Sequence, residues 1–334
     1  MRTNRYRLYL RGFLRYGVSS TFFLCLFFSL GYAQEAEIAK YPSRPITFIV
    51  PTPAGSTADI PCRVLVKEAE KFLGQPIVVV NKPGASQAIG IAAIATAKPD
   101  GYTIGYAGHP GIFFAPLMEK VPYHPVKDLK PIVQFGYLNI AVTVKGDSPF
   151  KSFKDLVDFA RKNPKKMAYG SSGTGTVGKV LMEQIARREG VQFTHIPFKG
   201  SSESQVALLG GHILAGTGGF TPPLIESGQI RLLLLIAEKR STEYPEVPIM
   251  KDLGYDIPAP LISIVIGPKG LPDEIVKRLE GALTKAMNEP AFLKVMKDIL
   301  QTVVYRSSSE LDDYVARNYE TFAKIIKEMG LAAK

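Results

Sequence analysis

The chain contains very little cysteine. Of its 334 residues, two are cysteines, Cys25 and Cys62, and Cys25 falls in the N-terminal leader described below. Cys62 is therefore the single cysteine of the mature chain, which excludes an intrachain disulfide and a metal site built on a cysteine pair. The four histidines lack a metal-ligand spacing such as H-x-x-x-H, so the sequence predicts no metal site. They are His109, His124, His195 and His212.

The chain also lacks a long apolar run beyond its N-terminus. No segment after residue 33 has the ~18 unbroken apolar residues of a membrane-spanning helix. Residues 1–33 have the pattern of a signal peptide, with five arginines and no acidic residue, an apolar stretch at 21–30 and small residues at 31 and 33. We expect cleavage after Ala33 and a periplasmic mature protein, with an uncleaved membrane anchor as the alternative.

Much of the positive charge lies in this leader. The formal net charge is +11, and loss of the five leader arginines leaves about +6. The mature chain has no Lys/Arg stripe interleaved with aromatic residues, so the sequence does not favour nucleic-acid binding. Its ~300 residues exceed the size of one ordinary domain, and we expect two lobes.

Residues 173–179 (GTGTVGK) resemble a nucleotide-binding loop. They match G-x-G-x-x-G between a predicted strand and a predicted helix, but the next strand ends in residues 197–199 (PFK) without the acidic residue that binds a ribose. They also match most of a P-loop, but Val180 stands where a Ser or Thr would bind Mg²⁺. The backbone of this loop can still hold an anion without a nucleotide. We predict no cofactor.

The sequence does not assemble a catalytic group. Residues 170–174 (GSSGT) depart at the last position from the G-x-S-x-G pattern of a serine nucleophile. No paired carboxylates accompany a glycine-rich loop, so no general acid/base pair can be named. His195 lies within a predicted strand and is interpreted as a core residue. His109 follows a strand and is a candidate ligand contact.

Strand-like and helix-like segments alternate along the chain. This alternation predicts an α/β fold with mostly parallel sheets flanked by helices. Ligands of such sheets bind at the carboxyl ends of strands, and four loops rich in Gly, Ser, Thr or Pro occupy such positions. These loops are residues 51–59, 108–111, 170–176 and 197–203. They either meet in one cleft or are unrelated turns, and the pattern alone leaves both interpretations open.

The first of these loops links a buried strand to a helix. Residues 46 and 48–50 are apolar, and Pro51, Pro53 and Gly55 interrupt the strand. Ser56, Thr57 and Asp59 can then cap a helix whose first backbone N–H groups lack internal partners. Such a helix N-terminus attracts anions. The alternative is that these residues only cap the helix.

Short motifs in a fixed order connect the chain to a known family. They comprise residues 41–46 (YPSRPI), 51–59, 73–76 (LGQP), 81–85 (NKPGA), 99–103 (PDGYT), 169–173 (YGSSG), 197–201 (PFKGS), 209–211 (LGG), 228–231 (GQIR) and 245–248 (PEVP). On these motifs, the chain resembles the Bug-type periplasmic solute-binding proteins of tripartite tricarboxylate transporters from residue 41 to about residue 327.

The resemblance implies a two-lobed periplasmic binding protein of type II-like architecture. Residues 41–140 and 262–334 would form one lobe and residues 141–261 the other, with hinge strands near 137–144 and 260–267. It implies a monomer that clamps a small carboxylate for membrane permease subunits, without catalysis. The ligand-binding positions it implies are Ala54, Gly55, Ser56, Thr57, Asp59, Gly108, His109, Ser171, Ser172, Gly173, Thr174, Lys199, Gly200, Ser201 and Gly219.

This chain departs from the family pattern in its first loop. The usual loop is close to P-F-x-P-G-G-x-x-D, and here Thr52 replaces the aromatic residue, Ala54 the second proline and Ser56 the second glycine. Lys179 stands where a histidine is frequent. A ligand cannot be assigned from a relative across these differences.

Three alternatives stay open at this point. The protein could present its ligand to a sensor kinase, or it could be a secreted enzyme that uses the same cleft. The ligand could also be neutral or aromatic if Phe113, Phe114 and Phe220 line the cleft rather than the core.

Overall fold

The computed structural model describes residues 38–137, 139–237, 240–241, 243–255, 261–299 and 301–333. The predicted signal peptide, residues 1–33, lies outside the described residues. The chain divides into two compact units, Met1–Ser43 and Arg44–Lys334. Residues 38–43 are the described part of the first unit, and the rest of this article concerns the second.

Six strands form the first sheet. Numbered in chain order, they are β1 (Ile46–Val50), β2 (Ile77–Asn81), β3 (Thr103–Gly108), β4 (Leu129–Gly136), β10 (Ser263–Pro268) and β11 (Arg306–Ser307). Their spatial order is β11-β4-β10-β3-β1-β2. β1 pairs in parallel with β2 and β3, whereas β10 lies antiparallel between β3 and β4.

Five strands form the second sheet. They are β5 (Ile140–Lys145), β6 (Met167–Ser171), β7 (Phe193–Pro197), β8 (Ala215–Gly219) and β9 (Ile230–Ile236), in the order β7-β6-β8-β5-β9. β6 pairs in parallel with β7 and β8, and β5 is antiparallel to β8 and β9. The two-sheet α/β fold is confirmed, although both sheets are mixed. β5 and β10 reverse the strand direction where the chain passes from one sheet to the other.

The helices cover these sheets. They are α1 (Asp59–Leu73), α2 (Ala88–Ala95), α3 (Ala115–Met118), α4 (Phe153–Lys162), α5 (Val177–Glu189), α6 (Ser201–Leu209), α7 (Pro222–Glu226), α8 (Asp273–Met287), α9 (Pro290–Asp298) and α10 (Ser308–Glu328), with shorter helical turns at Ala85–Gln87, Pro110–Phe114 and Met250–Leu253. In the described part of the chain, no helix combines the length and the apolar character needed to cross a membrane.

Apolar spacing and caps explain the helices beside the cleft. α1 buries Cys62, Leu65 and Ala69 on one face, and it ends at Gly74 in the left-handed conformation. The thiol of Cys62 is fully buried, and this burial, together with the Asp59 carboxylate, raises its pKa well above the usual range. α5 begins after Thr176, whose hydroxyl accepts a hydrogen bond from the Lys179 N–H.

The aromatic side chains of segment 110–114 pack into the core. Phe113 and Phe114 are fully buried, and the ring of Phe114 lies 5.1 Å from that of Phe322 on α10. They are therefore core residues and do not line a cleft.

The strands of the second sheet come from the middle of the chain, and those of the first sheet come from both flanks. The lobe boundaries and the hinge strands stay predictions.

Candidate functional site

A cavity of about 60 Å³, here called the cleft cavity, lies between loops of the two sheets. Its first side consists of lining residues from 51–58, 86–87 and 109–110, which follow β1, β2 and β3. Its second side consists of lining residues from 172–178, 199–201 and 217–219, which follow β6 and β7 or end β8. Ile140, at the start of β5, also lines it. Each of the four loops singled out in the sequence contributes to this one cavity.

Eight of the fifteen sequence-predicted positions line the cleft cavity. They are Ser56, Thr57, His109, Ser172, Lys199, Gly200, Ser201 and Gly219. The other seven do not line it: Ala54, Gly55, Gly173 and Thr174 lie in the surrounding loops, Gly108 and Ser171 end β3 and β6, and Asp59 begins α1. Ala54 and Gly55 are exposed, and Gly108 donates its N–H to the side chain of Gln87 at 2.9 Å.

Asp59 anchors the first loop. Its buried carboxylate accepts hydrogen bonds from the Gly55 N–H at 2.8 Å, the Asn81 side-chain amide at 2.8 Å and Arg63 Nε at 2.7 Å. The Asn81 amide also donates to the Thr52 carbonyl at 2.9 Å. A buried carboxylate that is paired in this way fixes the loop around it. Asp59 therefore holds the loop on the first side of the cavity in place without lining the cavity itself.

Three helices begin at the cavity wall. Thr57 and Ala58 precede α1, Val177 and Gly178 open α5, and Ser201 opens α6. The first backbone N–H groups of a helix have no intrahelical acceptor, and the helix dipole places partial positive charge there. In the described part of the chain, no acceptor is present for the N–H groups of Thr57 and Ala58. Helix ends from both sides therefore make the cavity favourable for an anion.

Formal charge is scarce around the cavity. Among the described residues that line it, Lys199 is the one with a full charge, and its side chain is exposed. Its backbone N–H donates to the Glu203 carboxylate at 3.1 Å, which orders the start of α6. An anion in this cavity would therefore be held chiefly by backbone and hydroxyl donors.

His109 presents a neutral ring to the cavity. The side chain is 2% exposed, and its Nδ1 atom has no hydrogen-bond partner among the described residues. Burial lowers the pKa of His109 to about 3, so the ring is uncharged at neutral pH. A buried nitrogen without a partner is costly, and a ligand or water in the cavity can satisfy it.

Ser171 and His195 form a pair that the sequence patterns did not reveal. The Ser171 hydroxyl lies 2.7 Å from His195 Nε2 and donates its proton to the Gly173 carbonyl at 2.6 Å. Because that proton is already engaged, His195 is the donor to Ser171. Burial, and then Lys179, lower the pKa of His195 to about 4. In this arrangement histidine does not act as a base on the serine, as an activated nucleophile would require.

The two sides of the cavity touch each other at Ser86. The Gly175 N–H donates to Ser86 Oγ at 3.0 Å, and Ser86 donates to the Glu119 carboxylate at 3.4 Å. The same Glu119 oxygen also accepts the Thr174 hydroxyl. Ser86 and Glu119 were missed in the sequence because neither residue carries a recognisable motif. Together with Gly173–Gly175 they form what we call the cross-cleft latch.

Close approach and backbone strain accompany this latch. Gly173 has φ +135°, and a Cβ atom there would lie 2.5 Å from Ser86 Oγ. On the opposite side, Ala85, Ser86 and Gln87 have φ values of 45°, 50° and 80°. Three successive non-glycine residues with positive φ are strained, and such strain is retained only where neighbouring contacts hold it. The sides of the cavity are therefore packed against each other in this structure.

A second cavity of about 400 Å³ lies beside the first. Ile140 lines both cavities, and Phe220, Tyr244 and Tyr137 line the larger one. Phe220 therefore faces this larger cavity, here called the hinge cavity because it adjoins the predicted hinge strand near 137–144, and does not line the cleft cavity. The cleft cavity has no aromatic carbocyclic ring in the described part of its wall, which disfavours an aromatic ligand there.

Known proteins resemble this chain along most of its length, in sequence and in fold. A UPF0065 protein in the gbd 5' region of Cupriavidus necator is 38% identical over 300 residues, 89% of this chain and 91% of that protein. The structure of the periplasmic binding protein BugD has a TM-score of 0.81 at 27% identity, covering 88% of this chain and 100% of that one. An R. palustris protein solved with adipate has a TM-score of 0.81 at 25% identity, covering 87% and 99%.

The family assignment follows from a match along most of the chain. The model of the tripartite tricarboxylate transporter family receptor, TctC, matches residues 62–331. This range contains most of helix α1, both sheets apart from β1, and the helices that open onto the second side of the cavity. The chain therefore belongs to the TctC receptor family of Bug-type periplasmic solute-binding proteins.

Proposed function

We propose that this protein captures a small organic carboxylate in the cleft cavity and delivers it to the permease subunits of a tripartite tricarboxylate-type transporter. The observation that carries the proposal is the convergence of three helix N-termini on one cavity. The unpartnered, buried His109 nitrogen supports it independently. Backbone dipoles can stabilise a carboxylate there without a buried cation.

The cavity volume favours a short ligand. A bound water occupies about 10–15 Å³ by this measure, so the 60 Å³ of the cleft cavity corresponds to about four to six waters. An acid of three to five carbons suits that space. Citrate and aromatic acids would require the two sides to move apart.

Binding can be tested on ligand-free protein refolded from denaturant. Malonate, succinate, malate, adipate and citrate are screened by thermal shift at neutral pH, and hits are measured by calorimetry. Succinamide is the matched control, because it keeps the length of succinate and lacks its charge. We expect the short diacids to raise the melting temperature and succinamide to leave it unchanged. No shift with any acid would contradict the proposal.

We infer that closure and export complete this function. The two lobes, 41–140 with 262–334 and 141–261, would close by hinge motion near residues 137–144 and 260–267, and the leader would direct the chain to the periplasm. N-terminal sequencing of the exported protein should begin at residue 34. Uptake of the bound acid into vesicles that contain the cognate permease should depend on this protein, and failure of that dependence would favour a sensor-kinase partner.

The binding role also implies no turnover. The Ser171 proton is already donated to the Gly173 carbonyl, so this pair does not support a hydrolytic alternative. A bound acid should be recovered chemically unchanged by mass spectrometry after incubation with the protein. A product of altered mass would revive the enzymatic alternative.

A further inference from the structure

A directed chain of hydrogen bonds runs from helix α1 into the cleft cavity. The Asp59 backbone N–H donates to Ser56 Oγ at 3.3 Å. The Ser56 hydroxyl in turn donates to Thr52 Oγ1 at 2.9 Å. Each hydroxyl has a single proton. Because Ser56 donates its proton to Thr52, the Thr52 proton is left at the end of this series of hydrogen bonds.

The Thr52 proton has no acceptor among the described residues of the protein. Thr52 and Ser56 both line the cleft cavity, and Ser56 is 6% exposed. The Thr52 carbonyl is engaged by the Asn81 amide, which holds the backbone of this residue in place. The free donor therefore belongs to a fixed residue in a cavity wall that already attracts anions.

We propose that the Thr52 hydroxyl is a specificity-determining donor to one carboxylate oxygen of the ligand, and that Ser56 is the positioning residue that directs it. This inference rests on the proposed function and names a side chain that selects for an acceptor at this end of the ligand. Hydrogen bonds to a charged acceptor are stronger than neutral ones, and successive donors polarise each other. A ligand without an acceptor there leaves the Thr52 proton unpaired.

The test is calorimetry on full-length mature protein with the tightest acid of the screened panel. Thr52→Val keeps the shape of the side chain and removes its hydroxyl, and we expect the Kd to rise by about tenfold or more. Thr52→Ser retains the hydroxyl and should stay within about threefold of wild type. Thr47→Val makes the same change in β1 outside the cavity and should leave the Kd unchanged.

Ser56→Ala tests the positioning role. It should weaken binding less than Thr52→Val does, and it should have little further effect in the Thr52→Val background, because both changes interrupt one chain. Wild-type affinity, within twofold, for both Thr52→Val and Ser56→Ala would overturn the inference while leaving the proposed function intact. Absence of binding by the wild-type protein would instead reject the proposed function.

Discussion

The two sides of the cleft cavity are held in place by different means. The first loop is fixed by contacts within its own sheet, through Asp59, Asn81 and Arg63. The 172–176 loop on the second side is completed by contacts from the opposite side, through Ser86 and Glu119. We infer that the first side is a preformed half of the site, whereas the second side depends in part on contacts that form when the sides meet.

The largest expected effect comes from breaking the preformed side. Asp59→Ala leaves Arg63, Asn81 and the Gly55 N–H without their acceptor, and we expect the free energy of unfolding to fall by about 3 kcal/mol. Urea denaturation followed by circular dichroism measures this change. Arg63→Ala is the comparison, because its side chain is 45% exposed and its loss should cost only about 1 kcal/mol. Equal losses of unfolding free energy in Asp59→Ala and Arg63→Ala would contradict the central role of Asp59 in holding the first side.

A second change sharpens the comparison by acting on the latch alone. Glu119→Ala removes the acceptor of Ser86 and Thr174, which should depopulate the closed form and weaken ligand binding by about three- to tenfold. The free energy of unfolding should change little, because the latch does not hold either sheet. Small-angle scattering should show a more open ligand-free protein. Glu320→Ala on the exposed surface of α10 is the matched control, and equal affinities would refute the latch.

The third prediction uses pH to compare a buried histidine of the first side with a half-buried histidine of the second sheet. His109 and His195 have pKa values lowered to about 3 and about 4, below the ~6.5 of an unfolded histidine. The unfolded chain therefore binds protons first as the pH falls, and stability is present above about pH 6.5 and is lost progressively toward these lower values. His109 should account for about 2 kcal/mol between pH 7 and pH 5.

Thermal unfolding across that pH range measures the effect. His109→Gln and His195→Gln should each flatten the pH dependence between pH 7 and pH 5, because both folded-state pKa values lie below pH 5. When the scan is extended below pH 5 the two variants should separate, because the folded protein protonates His195 before His109. An unchanged slope in His109→Gln would contradict the assignment.

The smallest expected effect concerns Lys199, the one charged side chain among the described residues that line the cleft cavity. Lys199→Gln removes an exposed ammonium group from the second side, and solvent screening should limit the change in Kd to less than about twofold. The residual effect should disappear at high salt. A tenfold loss by calorimetry would mean that a formal charge, rather than the helix ends, holds the ligand.

The sequence predicted the loops of the site better than its contacts. The rule that ligands bind where strands end located loops 51–59, 108–111, 170–176 and 197–203, and all four contribute to one cavity. It could not locate Ser86 and Glu119, because the positive φ of Ser86 and the hydrogen bonds of Glu119 depend on tertiary contacts. The family resemblance placed Asp59 among the ligand-binding positions, and this stays a prediction, while in the structure its carboxylate accepts hydrogen bonds from Gly55 and Arg63.

Strand β8 shows a similar limit in the fold. The strand runs from Ala215 to Gly219 in the centre of the second sheet, and glycine occupies three of its five positions. Glycine is weak in isolated strands, yet a central position supplies pairing on both edges. The close approach of the two sides of the cavity also favours glycine at this position, because a Cβ atom at Gly219 would lie 2.8 Å from Thr57 Oγ1.

The fully buried thiol of Cys62 makes this protein a convenient scaffold for an optical reporter. Its pKa is raised by burial, so it stays protonated and unreactive toward maleimides in the folded state. A cysteine introduced at Leu293, which is 44% exposed on the wall of the hinge cavity, would then be the reactive thiol of the mature chain. A solvent-sensitive dye attached there would convert the meeting of the two sides into a change in fluorescence.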